Sequence, residues 1–189
     1  MTATARLLAA LLAAPVLLAA APAAAAETCG PVPDRSAALD PLFEALEEAE
    51  TPGEGQRIEA EIWDVWRKAP DERAQALLDE GYRLRRSYAL AEAEAVLEEL
   101  TRYCPGYPEG WNQLAAVRFD RGRHDAALET IDRVLALEPR HFGALAGRAM
   151  SLARQGRMRL AREAGRAAAA IHPWIGLPAA LTEPEGEEL

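Results

Sequence analysis

The sequence predicts an all-α protein built as a solenoid of antiparallel helix pairs. Three observations carry that prediction: landmark residues recur at a 34-residue spacing, a glycine sits in the middle of the period, and a proline closes it. The clearest copies span residues 108–141 and 142–175. Gly122 falls over Gly156, Ala127 over Ala161, Pro139 over Pro173 and Ala115 over Ala149. Packing explains the landmarks. Trp111, Leu114 and Ala115 belong to a first helix, and Ala127, Ile131 and Val134 to a second. Alanines at 115 and 127 let the two rods approach, and the larger side chains fill the space beside them. Gly122 accepts positive φ and ends the first helix. Pro139 has no N–H to extend the second. One pair cannot bury its own apolar face, so roughly three or more must stack.

Taken in order, residues 1–26 read as a secretory signal peptide. A short segment with Arg6 precedes a Leu/Ala run, and small residues end at Ala26, the expected cleavage site. An uncleaved membrane anchor and an Ala-rich core helix are the competing readings. Thr28 before Cys29 departs from a lipoprotein box, which needs a small residue there. The Arg-over-Lys, Ala-heavy composition fits a GC-rich bacterium. The expected location is therefore outside the cytoplasm, in the bacterial periplasm, with no membrane span after cleavage.

Residues 27–39 form a linker broken by Gly30, Pro31 and Pro33. Cys29 and Cys104 are the two cysteines. An oxidising compartment favours a bridge, and two unpaired thiols are the alternative. Residues 40–73 read as a degenerate pair: Asp40-Pro41 starts a helix, TPGEG at 51–55 is the turn, and Trp63 is in phase with Ile131. Glu47 and Glu59 stand where small residues belong. Trp63 and Trp66 read as core, with a binding patch as the other reading. Residues 74–107 are a clearer copy, with Gly81 over Ala115, Ala93 over Ala127 and Pro105 over Pro139. Tyr88 replaces the turn glycine, so this turn is expected to use ordinary helical angles or a longer link. Residues 176–189 supply a short capping helix at Leu177–Leu181 and an acidic tail expected to lack fixed structure.

The phased landmarks, with EGWN at 109–112 and LALEPRHFGALAGR at 135–148, resemble the tetratricopeptide repeat (TPR) family, in particular exported alphaproteobacterial members. The resemblance implies a right-handed superhelix whose first helices line a concave groove for a protein or peptide partner. It places the ligand-contacting positions at Gln75, Asp79, Tyr82, Arg86, Glu109, Asn112, Gln113, Ala116, Asp120, Met150 and Arg154. The family's carboxylate clamp of Lys, Asn and Arg is not reproduced. Arg118, Arg148 and Glu80 occupy positions that are usually apolar, so each must be paired or reach water. Exposure at a helix edge is the preferred expectation for them, and an ion pair within the groove the other.

Charge and motifs narrow the function. There are 30 acidic against 21 basic residues, a formal net charge of −9. Acidic residues crowd the first pair and arginines the last, as either a steering patch or a solvated face neutralised by the tail. Nucleic acid is a poor partner for such a chain. His124, His141 and His172 lie in or beside turns, without zinc-ligand spacing, and no nucleophile, phosphate-loop or dinucleotide motif occurs. No active site, metal or cofactor is expected. The expected role is a periplasmic adaptor that binds a peptide or helix of an envelope protein in its groove. The alternative is a structural or assembly component of an envelope complex that uses the aromatic first pair.

Overall fold

The computed structural model describes residues 28–182. The signal peptide, its cleavage after Ala26 and the tail beyond Thr182 lie outside the described residues. Every regular element described is helical. The elements are α1 (Ser36–Glu48), α2 (Pro52–Trp66), α3 (Glu72–Arg86), α4 (Leu90–Tyr103), α5 (Pro108–Asp120), α6 (His124–Leu137), α7 (Phe142–Arg154), α8 (Met158–Ile171) and α9 (Ala179–Thr182). α3 packs on α4, α5 on α6 and α7 on α8, while α4–α5 and α6–α7 contacts join the pairs into a row.

Three turns share one geometry. A backbone N–H three residues beyond each helix end reaches back into the last turn: Ala89 to the Leu84 carbonyl at 3.0 Å, Arg123 to Arg118 at 2.8 Å, and Arg157 to Leu152 at 2.9 Å. This closure needs a left-handed residue in the middle. Gly122 and Gly156 supply it at φ 72° and 74°. Tyr88 takes the same conformation at φ 59°, which corrects the expectation of ordinary helical angles or a longer link. The closing hydrogen bond outweighs the cost of a Cβ in this region, about 1–2 kcal/mol. Tyr88 is 84% exposed, so its ring recovers little by packing. Tyr88→Gly is therefore expected to stabilise the fold by about 1 kcal/mol, measured as a higher urea midpoint with an unchanged slope.

The first pair departs further from the sequence reading. α1 begins at Ser36, a turn before Asp40-Pro41, because the Asp34 carboxylate accepts from both the N–H (2.9 Å) and the hydroxyl (2.7 Å) of Ser36. Pro41 lies inside the helix and removes one hydrogen bond, on a side where Ala37 is open to water. The PGEG of the expected turn is already helical, since Thr51 caps α2 by accepting from Glu54 N–H at 3.2 Å. Two residues, Glu50 and Thr51, remain to make the turn after Ala49.

More important is where this pair docks. α2 scarcely touches α3. The apolar face of α1 and α2, with Leu39, Phe43, Leu46, Ile58, Ile62 and Trp66, closes on Phe142 at the start of α7, on Ile171 at the end of α8 and on Ile175 beyond it. The pair lies across the joints between later pairs instead of extending their row. Trp66 stacks on His141 at 3.9 Å and 8°. Its carbonyl accepts from the buried Tyr107 hydroxyl at 2.8 Å. Two close approaches depend on glycine: a Cβ at Gly55 would stand 2.4 Å from the Trp174 ring, and one at Gly143 would stand 2.6 Å from the Trp63 ring. Glu59, out of place for a repeat, holds buried His172 at 3.2 Å.

The N-terminal arm strengthens this brace. Cys29 is bonded to Cys104 at a Cα–Cα distance of 5.1 Å, and Cys29 N–H donates to the Tyr103 carbonyl at 2.9 Å. Arg35 lies over the Tyr107 ring at 5.3 Å and donates to the Lys68 carbonyl. At the other end, α9 presses on α8, where Leu181 covers Gly165; the helix spans Ala179–Thr182 and not the expected Leu177–Leu181.

Candidate partner-binding groove

The groove is built by the first helices of the pairs, α3, α5 and α7. A cavity of about 150 Å³ lies between α5 and α7. Ala115 and Ala116 form one wall, Gly143, Ala144 and Gly147 the other, and Phe119 and Met150 the rim. The hollow exists because Ala115, Ala116, Ala144 and Gly147 carry little or no side chain, whereas the space beside Gly143 is taken by the Trp63 ring. Gly147 has room for a Cβ, which would meet Ile131 at 3.5 Å, so its lack of a side chain leaves space that packing does not require. Ser151 also lines the cavity; it is fully buried and its hydroxyl has no hydrogen-bond partner. A larger cleft of about 500 Å³ lies between α6 and α8, but an Arg148–Asp132 ion pair already lies along it.

The expected contact residues divide into three groups. Glu109, Asn112 and Gln113 are buried, with exposures of 0%, 7% and 5%. Glu109 accepts from the Tyr82 hydroxyl at 2.5 Å, Asn112 Nδ2 at 3.0 Å and Gln113 Nε2 at 2.8 Å, and it meets His141 Nε2 at 3.2 Å. This carboxylate ties α3, α5 and the start of α7 together, so Glu109, Asn112 and Gln113, which the resemblance places at ligand-contacting positions, are turned inward and bonded to one another. An Asn112 edge still reaches the cavity wall. Burial, then the negative charge of Glu109, raises the Tyr82 and Tyr107 phenols, which keeps both as hydrogen-bond donors.

A second group is bonded at the surface. Gln75 accepts from Ala69 N–H at 2.9 Å and donates to Asp79 at 3.0 Å. Asp120 accepts from Arg85 at 2.7 Å. The third group remains open: Met150 and Ala116 line the cavity, while Arg86 and Arg154 are exposed at the last positions of α3 and α7. The sequence reading missed Arg85, Phe119, Gly147 and Ser151. Gly143 and Gly147, spaced four apart on a helix, were the available signal.

The misplaced charges also find partners. Arg118 is neither at a free edge nor in the groove. It donates to nearly buried Glu94 at 2.9 Å, to Glu98 at 2.9 Å and to Thr130 at 2.6 Å. Arg121 and Arg123 complete the ring around Glu94. Arg148 pairs with Asp132, and Glu80 with Arg83. Burial would raise the Glu94 carboxyl, but the Arg118 hydrogen bond and the charges of Arg123, Arg118 and Arg121 together outweigh it and hold it below the usual range. A depressed folded pKa adds stability above the unfolded value, about 4.3, and that stability is lost as pH falls through the folded one. Urea midpoints should therefore decline below about pH 4.5, and Glu94→Gln should decline less steeply there despite a lower midpoint at pH 7.

Trp63 and Trp66 are consumed internally by Phe43, His141 and Phe142, which favours the core reading over a binding patch. Among the described residues no His, Cys, Asp and Glu cluster could hold a metal ion, and no helix is long and apolar enough to cross a membrane.

A row of antiparallel helix pairs with a groove along its first helices defines a helical-repeat solenoid. No family model matches the chain. A curated TPR repeat-containing protein of Rhizobium etli is 32% identical over 161 residues, covering 80% of this chain and 78% of that protein. The chain belongs to the TPR family. Solved structures share the fold: the first TPR of Spaghetti (RPAP3) bound to an HSP90 peptide has a TM-score of 0.54 at 16% identity, over 58% of this chain and 85% of that one. YrrB, described as a TPR protein with an unusual peptide-binding site, has a TM-score of 0.52 at 18% identity, over 73% and 81%.

Proposed function

We propose that this protein is a non-catalytic interaction module that captures a peptide or helix of an envelope protein in its groove, outside the cytoplasm. The observation that carries this reading is the cavity between α5 and α7, where small residues leave space and a buried hydroxyl lacks a partner. Solved neighbours with the same fold include proteins described with bound peptides. The leader at residues 1–26 and the Cys29–Cys104 bond are consistent with export. Against the assembly reading stands the burial of Trp66, only 1% exposed, while Trp63 is half-buried.

The test is a photo-crosslinking residue at Met150 in the producing cells, followed by fractionation and identification of the captured protein. Capture of one envelope protein, abolished by Gly147→Leu, is the expected result. Labelling unchanged by Gly147→Leu would refute groove binding. N-terminal sequencing of the exported form should begin at Glu27, and a retained leader would refute export by cleavage.

A further inference from the structure

We propose that the outer face of α8 is an interaction surface covered by the protein's own acidic segment, residues 183–189, independently of what the groove binds. Helix spacing builds the surface. Arg159, Arg162 and Arg166 stand three and four positions apart on α8 and share one side of it. Ala161, Ala164, Gly165 and Ala168 are the buried residues of the helix, and α8 packs on α7. Arg159 and Arg166 are exposed, and Arg157 is exposed just before the helix starts. Residues 142–171 carry six arginines and a single acidic residue, Glu163. Glu163 pairs with Arg159 at the surface, an exposed contact of the kind that contributes little. Arg166 makes no ion pair among the described residues. Positive charge is therefore concentrated on a side of α8 that the fold leaves uncovered.

The path of the chain names the occupant. α9 seats beside this face: Leu181 lies over Gly165, and Arg162 Nε donates to the Ala180 carbonyl at 3.3 Å. The chain thus leaves Thr182 next to the arginines. The residues that follow, EPEGEEL, hold four glutamates and no basic residue. Seven residues span at most about 23–25 Å. Arg159 and Arg166 are seven positions apart, only about 10 Å along a helix. Glu183, Glu185, Glu187 and Glu188 can therefore meet guanidiniums on either side of the point where the segment starts. Each such pair is weak at a surface, but the tether holds the carboxylates at an effective concentration of about millimolar. A second copy or an acidic partner must displace them to reach α8.

The test is paramagnetic broadening of NMR signals in the full chain, with a nitroxide on Leu189→Cys and the Cys29–Cys104 bond intact. Amide signals along Arg159–Arg166 should lose most of their intensity. The loss should be much smaller when Glu183→Gln, Glu185→Gln, Glu187→Gln and Glu188→Gln are combined, and in the double variant Arg159→Glu, Arg166→Glu. Salt at about 1 M, where the screening length falls to about 3 Å, should erase the difference. The arginines changed are exposed, so circular dichroism should stay the same; the glutamine variant leaves α8 untouched and decides the matter if the arginine variant does not fold. Broadening that is equal in all variants and indifferent to salt would overturn the proposal, since a tethered segment without attraction gives that result. Broadening centred on Gly147 and Met150 would put the segment in the groove and overturn it too. A mixture of nitroxide-bearing and isotope-labelled chains identifies the remaining occupant: broadening of α8 that passes between molecules would make it a second copy and overturn the intramolecular contact.

Discussion

Trp66→Ala is expected to lower unfolding free energy by about 3–5 kcal/mol, the range for removing a fully packed tryptophan. Trp66 is 1% exposed. Its ring lies 3.9 Å from His141, 4.9 Å from Phe142, 5.1 Å from Trp63 and 6.2 Å from Phe43. These neighbours come from α1, α2 and the start of α7, so the loss loosens the brace as well as opening a cavity. Urea denaturation read by circular dichroism measures the loss. Hydrogen exchange distinguishes local from global effects: protection should fall first in α1 and α2. A cost below about 1 kcal/mol would mean that the first pair is not energetically coupled to the row.

Glu109→Ala should cost a similar amount, about 3–5 kcal/mol, for a different reason. The carboxylate is wholly buried and serves Tyr82, Asn112, Gln113 and His141. Removing it leaves several buried donors unsatisfied at about 1–3 kcal/mol each, partly relieved by rearrangement. Glu109→Gln keeps the shape and one carbonyl acceptor, and should recover part of the loss. Equal and small losses in both variants, read from urea midpoints, would show that the network is not structural. If instead Glu109 served a partner, both variants would weaken capture and leave the midpoint unchanged.

The two expectations expose the boundary of what sequence patterns resolve. Glu109 lies on α5, at a position that the family resemblance expects to face a ligand. Its side chain turns inward because His141, one repeat later, and Tyr82, one repeat earlier, converge on it with donors. That convergence joins residues 27 and 32 positions away, which no local period encodes. Tyr88 teaches the reverse lesson. The turn hydrogen bond is common to all three copies, so it imposes a left-handed angle on whichever residue occupies the slot.

The sequence by itself determined the all-helical class and the stacking of helix pairs in a row beyond the first pair. Those depend on a 34-residue period, on glycine where φ is positive and on small residues where rods touch, all of which are local properties repeated in register. Tertiary structure alone decided that α1 and α2 lie across the joints, that Trp63 and Trp66 seal against α7, and that much of the expected contact set is interior. Those outcomes come from long-range packing, in which a buried face takes whatever surface completes its core and a buried carboxylate takes whatever donors surround it.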